Sequence, residues 1–558
     1  MVRTIFNFFY KETNRLHQAA FLLAFFSILS QILAFLRDRL LAHFFGAGTN
    51  LDIYYAAFRI PDFLFVAVAS IVSLSVLVPF IIEKESGGKE EVKKFLDDIF
   101  SFFAYLIFFV SVLAFFLIPK LSPILFKGFS GEALEQVILL SRIFLLSPIF
   151  LGVSNLLGSM TQAYNRFLIY AFAPVLYNAG IILGIVGLSS RLGIIGVAIG
   201  VVLGSLLHMA IQLPYVFRLG LFPRFKPLFD FSSIRRVVSL SFPRTLTLSM
   251  NHVATLFLVS LASLMTAGSI SIYSFAFNIS SVPLVVIGVS YSLAAFPTLS
   301  RHFSSNNIGA FVEQMSLTVR HIIFWSLPVM ALFIVVRAQI VRVLLGTGRF
   351  DWNDTRLTAA ALALFSVSVL AQSLILLFVR AFYSAGHTKK PLIINTLSAG
   401  LLMLLTYGAV KLYYAWPTFA YFIGALLKVD NLPGTVVLML PLGYSLGTIV
   451  NAVIHWREFE KDFGKFSSDT YHTLLVSSAA SVFVGLGSYV GLNIFARVFN
   501  LEKLWGIFLQ GFLAGILGIL TGILVLWLLK SRELKEFWEA IHQKFSGVKA
   551  IAENPEIV

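Results

Sequence analysis

The chain has 558 residues, of which 58% are hydrophobic and only 12% charged, with a net charge of +15 and a mean hydropathy of +0.88. Soluble domains carry about a quarter charged residues, so a soluble globular protein is excluded and a polytopic membrane protein is indicated. The lack of cysteine excludes disulfides, iron–sulfur clusters and thiolate zinc sites, and Lys and Arg gathered in loops on one membrane face explain the charge without a nucleic acid.

In chain order, apolar runs separated by charged or Gly/Pro punctuation predict about fourteen membrane helices. They are expected near 18–45, 51–82, 95–119, 133–163, 168–189, 194–217, 235–265, 269–299, 314–336, 356–384, 391–414, 433–456, 470–494 and 504–530. The first run follows Arg3, Lys11 and Arg15. It is longer than the apolar core of a signal peptide and no small-residue cleavage site follows, so it is read as a retained span. The segment 120–131, "KLSPILFKGFSG", is too short to cross and is expected at an interface. The tail after Lys530 is expected to form a short amphipathic helix and then disorder. The clusters "KEEVKK", "RFKP" with "IRR" and "HTKKP", together with the C-terminal tail, fall on the same side of the membrane as the N-terminus when the predicted spans are counted. Both termini are therefore expected on the cytoplasmic side of a multi-pass membrane protein. Arg337, Arg342, Arg349 and Arg356 depart from the rule, lying in a predicted outer loop.

An internal duplication runs at a spacing of 217–220 residues. "AGTNLDIYYAAFRIP" (47–61) aligns with "AGSISIYSFAFNISSVP" (267–283), so that Ile53-Tyr54 falls on Ile272-Tyr273 and Phe58-Arg59-Ile60 on Phe277-Asn278-Ile279. Pro79 matches Pro297, "PVLYN" (174–178) matches "PLIIN" (391–395), Tyr164 matches Tyr383 and Gln31 falls on Asn251. About six spans per unit is an even number, so both units enter the membrane the same way round, related by a pseudo-two-fold axis along its normal. The expected fold is all-α, with an N-terminal lobe at 1–217, a C-terminal lobe at 218–456, two additional helices within 457–530 and a cytoplasmic tail at 531–558. Substrate in such duplicated transporters binds between the repeats near mid-membrane.

Charged groups inside the spans are costly, at about 2.5–3.5 kcal/mol each on insertion scales, so they face a bundle interior or a watery cavity. The span cations are Arg37, Arg39, Arg59, Arg142, Arg244 and Arg320, all arginine, the residue whose planar fork matches phosphate and carboxylate oxygens. Arg37, Arg59 and Arg244 are read as cavity-lining. Arg142 and Arg320 are expected to snorkel near span ends, and Arg39, His43 and Asp62 to snorkel, lie at an interface or line the cavity. Asp52, just after the "GAGTN" turn, is expected to cap the second helix. Arg59 shares a helix face with Asp52 and Asp62, while Arg37 and Asp38 diverge on the wheel. The interior is expected to be net cationic and suited to an anionic substrate. Gln31, Asn251, His252 and Asn278 could add neutral hydrogen bonds, and Gly46, Gly48, Gly268 and Pro61 are expected to allow close approach and bending at helix ends. No HExxH, no phosphate-cradling GxxxxGK[ST] and no intramembrane acidic pair occurs, so neither an enzyme, a metal site nor a cofactor is expected. "DWND" (351–354) reads as a helix start.

The stretch "LAFLRDRLLAHFFGAGTNLDIYYAAFRIPDFL" resembles the first two helices of the MurJ/MviN family of lipid II flippases. "LLGTGRFDWNDT" (344–355), "RAFYSAGHTKKP" (380–391) and "SISIYSFAFNISSVPLVVIGVSYSLAAFPTLSR" (269–301) resemble its later landmarks. The resemblance implies the two-lobed fold of the multidrug/oligosaccharidyl-lipid/polysaccharide exporter superfamily, with the two extra helices forming a groove for a lipid tail. It implies movement of undecaprenyl-diphosphate-linked peptidoglycan precursor from inner to outer leaflet by alternating access. By position it places Arg37, Asp38, Asp52 and Arg59 on family site positions. The chain departs from the pattern at Gln31, Phe65-Val66, "VASIVSLS" and Asn278, where Arg244 is expected to restore charge; no acid marks a sodium site in the tenth or eleventh helix. The expected partners are a lipid-linked diphosphate glycan, membrane lipids and cell-wall synthesis proteins, and the expected state is a monomer. The alternatives are a flippase for another polyprenyl-linked polysaccharide, a drug exporter of the same superfamily and a non-transporting scaffold for cell-wall enzymes.

Overall fold

The computed structural model describes residues 16–69, 72 and 74–545, and among them the regular structure is helical. Hydrocarbon requires this, because a segment crossing it must satisfy its own backbone N–H and C=O groups. The helices are α1 (Leu16–Phe45), α2 (Thr49–Ala69), α3 (Leu74–Glu85), α4 (Lys89–Leu125), α5 (Gly131–Ala163), α6 (Phe167–Leu192) and α7 (Ile194–Leu219). There follow α8 (Phe231–Ser263), α9 (Ser269–Ser304), α10 (Ile308–Val335), α11 (Arg337–Leu345), α12 (Trp352–Ser366), α13 (Val369–Ser384) and α14 (Lys389–Ala415). The last are α15 (Pro417–Leu427), α16 (Thr435–Phe463), α17 (Ser468–Ala496), α18 (Leu504–Leu528) and α19 (Arg532–Phe545).

Each expected span falls on a helix or a helix pair. Among the described residues, however, 11 helices are long and apolar enough to cross, or up to 12 if α12 and α13, bent by 43°, form one broken span. By length and composition the described residues thus give 11 or 12 of the expected fourteen. α2 illustrates why: its 21 residues carry Asp52, Arg59 and Asp62. The expected helix 51–82 is two helices, α2 and α3, with residues 70, 71 and 73 outside the described set. The expected interfacial segment 120–131 begins as a continuation of the preceding helix. α4 continues through Pro119 and Pro123 to Leu125, where the Ser260 hydroxyl donates to the Leu125 carbonyl. Pro119 frees the Phe115 carbonyl one turn earlier, and Arg142 Nε of α5 donates to it at 3.2 Å; neighbouring helices that satisfy freed backbone groups are what let proline persist in membrane helices. The amphipathic tail helix is α19, and residues 546–558 lie outside the described set.

The chain packs as two compact units, one of Met1–Ala276, Leu344–Ala361 and Thr388–Gly447, the other of Phe277–Val343, Leu362–His387 and Thr448–Val558. This grouping by contact is not the division at 217/218 drawn from the duplication. In the first unit a core of Phe95, Phe103, Leu156, Met160 and Ile234 joins α4, α5 and α8. α6 and α7 approach until backbones touch: a Cβ added at Gly180 would lie 2.4 Å from Gly204, and one at Gly184 2.4 Å from Gly200. Glycines four apart are how membrane helices pack without a hydrophobic driving force. In the second unit Phe311, Phe378, Phe382, Phe459 and Phe466 interlock.

The second unit corrects the expectation for Arg320. Its side chain is 6% exposed, and its Nε donates to Glu533 Oε1 of α19 at 2.9 Å, with Glu536 at 3.5 Å and Asp469 at 3.9 Å. It locks the tail helix instead of snorkelling. Thr473 Oγ1 and Ser531 Oγ also donate to the Glu533 carboxylate, at 2.6 and 3.0 Å. Burial works against the Glu533 charge, but the hydrogen bonds from Thr473, Arg320 and Ser531 outweigh it and hold the carboxyl below its ordinary range. A carboxyl with a lowered folded-state pKa lends stability that is full above its ordinary value and lost as pH falls through the folded value. Amide protection of α19 in hydrogen exchange should therefore persist at neutral pH and fail on acidification below the usual glutamate range. Glu533→Ala should free α19 at neutral pH, since breaking a buried pair costs up to about 3–5 kcal/mol, less what Asp469 and Glu536 recover.

Candidate functional site

In α1, Arg37 turns to its sequence neighbour. Its Nε and Nη2 donate to Asp38 Oδ1 at 2.9 and 2.7 Å, and its Nη1 donates to Asn178 Oδ1 of α6 at 3.1 Å. The Asn178 amide is oriented by donating to the Ser30 and Pro174 carbonyls, at 3.3 and 3.2 Å. The wheel placed Arg37 and Asp38 on diverging faces, but the arginine stem is long enough to curl back. The Arg37 side chain keeps 20% exposure against 5% for that of Asp38. This corner is close to neutral as it stands, against the expected net positive charge.

Arg59 on α2 is different. Among the described residues it makes no hydrogen bond or ion pair, and its Nε is buried without a partner. Tyr55 Oη, one turn earlier, is likewise buried and unpartnered, and Tyr55 lies within electrostatic reach of both Arg37 and Arg59. A buried donor without a protein partner is a place for strain, an ordered water or a ligand. Asp62 and His252 of α8 lie within electrostatic reach of Arg59, and no ion pair joins them. Asp62 lines a chamber of about 280 Å³ between α2, α5, α6 and α7, with Asn155, Tyr177 and His208 among the other walls.

Asp52 supplies the third feature and a correction. Its N–H already bonds to the Gly48 carbonyl at 3.0 Å, so it stands inside α2, too far along to cap it. Instead Oδ2 accepts the Gly268 N–H at 2.6 Å, and Oδ1 accepts the Ser271 N–H at 2.8 Å and the Ser271 hydroxyl at 2.7 Å. Asp52 therefore caps α9, whose first N–H groups and positive dipole end favour a carboxylate. Ser271 is the residue on which Asp52 itself falls in the duplication. Further ties close the same junction: Asp354 Oδ2 accepts the Ala47 N–H at 3.2 Å, Arg349 N–H donates to the His43 carbonyl at 3.0 Å, and His43 Nδ1 meets Thr347 Oγ1 at 3.0 Å. "DWND" does start a helix, with Asp351 Oδ1 accepting the Asp354 N–H at 2.8 Å. Gly46 and Gly268 have φ of 67° and 92°, and a Cβ at Gly268 would lie 2.3 Å from the Ala47 carbonyl oxygen. A Cβ at Gly48 would meet only Phe45 O at 3.9 Å, so no close approach explains that glycine. Pro61 lies inside α2 on the chamber wall.

The structure thus groups Arg37 and Asp38 with Asn178, Arg59 with Tyr55, Asp62 and His252, and Asp52 with Gly268 and Ser271. Gln31 and Asn251 are exposed and Asn278 is half-buried. Arg244 stands on α8, but its side chain lies outside the described residues. Arg142 donates to the Phe115 carbonyl at 3.2 Å and covers the Phe115 ring at 4.3 Å. Asn178 and Tyr55 were missed as site residues, although "PVLYN" and "IYY" both lie in the repeat landmarks. Among the described residues no cluster of three His, Cys, Asp or Glu side chains could hold a metal ion.

A family model described as lipid II flippase MurJ matches residues 41–509. "Probable lipid II flippase MurJ" of Buchnera aphidicola subsp. Acyrthosiphon pisum is 27% identical over 374 residues, covering 66% of this chain and 73% of that protein. "Lipid II flippase MurJ" of Burkholderia cenocepacia is 24% identical over 378 residues, covering 66% and 73%. Among solved structures, "Lipid II flippase MurJ, inward closed conformation" superposes with a TM-score of 0.70 at 23% identity, covering 93% of this chain and 99% of that one. An inward-facing multidrug resistance MATE family transporter follows at a TM-score of 0.62 and 16% identity, covering 78% and 94%.

The junction sets a contrast between two glycines. Gly268→Ala should lower the melting temperature of the detergent-solubilised protein by several degrees, because the methyl meets the Ala47 carbonyl at a positive φ. Gly400→Ala, in open space within α14, should leave it unchanged or raise it slightly.

Proposed function

Because the chain belongs to the lipid II flippase MurJ family, we propose that it carries an undecaprenyl-diphosphate-linked peptidoglycan precursor from the inner to the outer leaflet by alternating access. The observation that carries this reading for the site is the pair of buried, unpartnered donors, Arg59 Nε and Tyr55 Oη, beside the Arg37 guanidinium. A diphosphate offers the acceptor oxygens these donors lack, and arginine forks bind such groups in two-point fashion. Arg37 is held by Asp38 and Asn178 in the unloaded chain; exchanging that carboxylate for a phosphate leaves the number of charge-assisted hydrogen bonds similar. Binding of this kind is reversible, as a carrier needs.

The Asp52 junction fits the second half of the cycle. A residue that touches its own repeat counterpart, as Asp52 touches Ser271, lies where a two-fold axis between the repeats would pass. With both termini in the cytoplasm, the junction stands at the outer ends of α1, α2, α8 and α9. Opening toward the outer leaflet then requires Asp52 to leave α9 and Asp354 to leave the Ala47 N–H. The lobes at 1–217 and 218–456 would be the moving bodies, and α17 and α18 would guide the lipid tail.

Complementation of a bacterium depleted of its own lipid II flippase tests this. The wild-type chain should restore growth, and Arg59→Ala, Arg37→Ala and Asp52→Ala should each fail or lose most of their activity at equal membrane levels. Failure of the wild type would move the substrate to another polyprenyl-linked glycan. Full activity of Arg37→Ala and Arg59→Ala would remove the arginines from the binding site.

A further inference from the structure

We propose that the chamber between α2, α5, α6 and α7 is a subsite for the sugar ring attached directly to the diphosphate. This rests on the reading of the chain as a carrier of a lipid-linked diphosphate glycan. The chamber holds about 280 Å³, enough for one ring and too small for the whole head group. Its walls are mostly apolar, including Phe58, Phe65 and Phe144, with a few polar groups converging on the space. Aromatic and apolar surfaces beside a few placed hydrogen-bonding groups are the usual make-up of a small-molecule site, and they match a pyranose, which has C–H faces and a hydroxyl rim.

Tyr177 and Ser147 on the wall bond to each other, but other polar groups have capacity to spare. Among the described residues neither the Asp62 carboxylate nor the Asn155 amide makes a hydrogen bond, and His208 spends its Nδ1 on Ser154 Oγ at 2.7 Å, leaving Nε2. A carboxylate and an amide together supply acceptors and donors for neighbouring hydroxyls or an N-acetyl group. Electrostatics narrows the ligand further. Asp62 repels a second phosphate, while the Arg59 guanidinium, within its electrostatic reach, opposes a metal cation. What remains is a neutral, hydroxyl-rich group. The register is also right, since Asp62 follows Arg59 by three residues on α2, a rise of about 4.5 Å, close to the step from a phosphate to the sugar it carries.

The test measures binding of two probes to the purified full-length chain in nanodiscs: undecaprenyl diphosphate, and the same lipid bearing one N-acetylated hexose. The sugar should tighten binding about tenfold or more. Asn155→Ala, and Leu151→Phe, which fills the chamber, should each abolish that gain and leave binding of the sugar-free lipid unchanged. Equal binding of both probes by the wild type, with sugar-free binding still dependent on Arg59, would overturn the subsite and leave the carrier reading standing. Loss of affinity for both probes in Asn155→Ala and Leu151→Phe would also overturn the subsite. Failure of the wild type to bind either probe would overturn the carrier reading itself, and the subsite with it.

Discussion

A charge within hydrocarbon must find a partner, a cavity or water, and this demand organises the helices that carry arginine. Arg37 is neutralised by Asp38 and steadied by Asn178. Arg320 is sunk into a carboxylate cluster on α17 and α19. Arg142 satisfies itself on a backbone carbonyl and an aromatic face. Arg59 follows none of these patterns: within the described residues its Nε is buried and unbonded. A group whose desolvation is uncompensated costs free energy in the unloaded state, and a ligand that compensates it binds more tightly for that reason. The unpaired donor on α2 is therefore the most informative charge of the first unit.

The ionic contacts divide by what they must do over a transport cycle. The Arg320–Glu533 pair is deeply buried, with side chains 6% and 5% exposed, and cross-braced by Thr473, Ser531 and Glu536. Separating it would strand charge in a low-dielectric core, so it behaves as a permanent clamp. The Asp52 contact is of another kind. A helix N-cap is worth about 1 kcal/mol, and its carboxylate can trade the backbone donors of α9 for water at little cost. Three such weak ties, at Asp52, Asp354 and His43, hold a junction firmly together and still let it release.

The helices were legible in the sequence because hydrocarbon allows little else, and long apolar runs have no alternative fold. Their ends were legible where glycine or charge interrupts the run, as at the Gly46 turn and at Gly131. The end of α4 was not: the span was expected to stop at 119, yet the helix runs on to Leu125, whose carbonyl finds the Ser260 hydroxyl of α8, a partner 135 residues away in the chain. The duplication was legible too, and it already aligned Asp52 with Ser271. The site was half legible. Arg37, Asp38, Asp52 and Arg59 stood out as charges in apolar context, whereas Tyr55 and Asn178 looked like ordinary helix residues until packing set them beside guanidinium groups.

The sequence by itself determined which segments are helical, which residues are too polar for lipid and which positions repeat, because those follow from local transfer free energy and periodicity. Tertiary structure alone decided what each polar group meets. Asp52 serves α9 and not its own helix, Arg320 holds the tail and not the headgroups, and Asp62 opens onto a chamber. The physical reason is that hydrogen-bond partners are set by the few ångströms separating side chains from different helices, a distance that no pattern along one chain encodes.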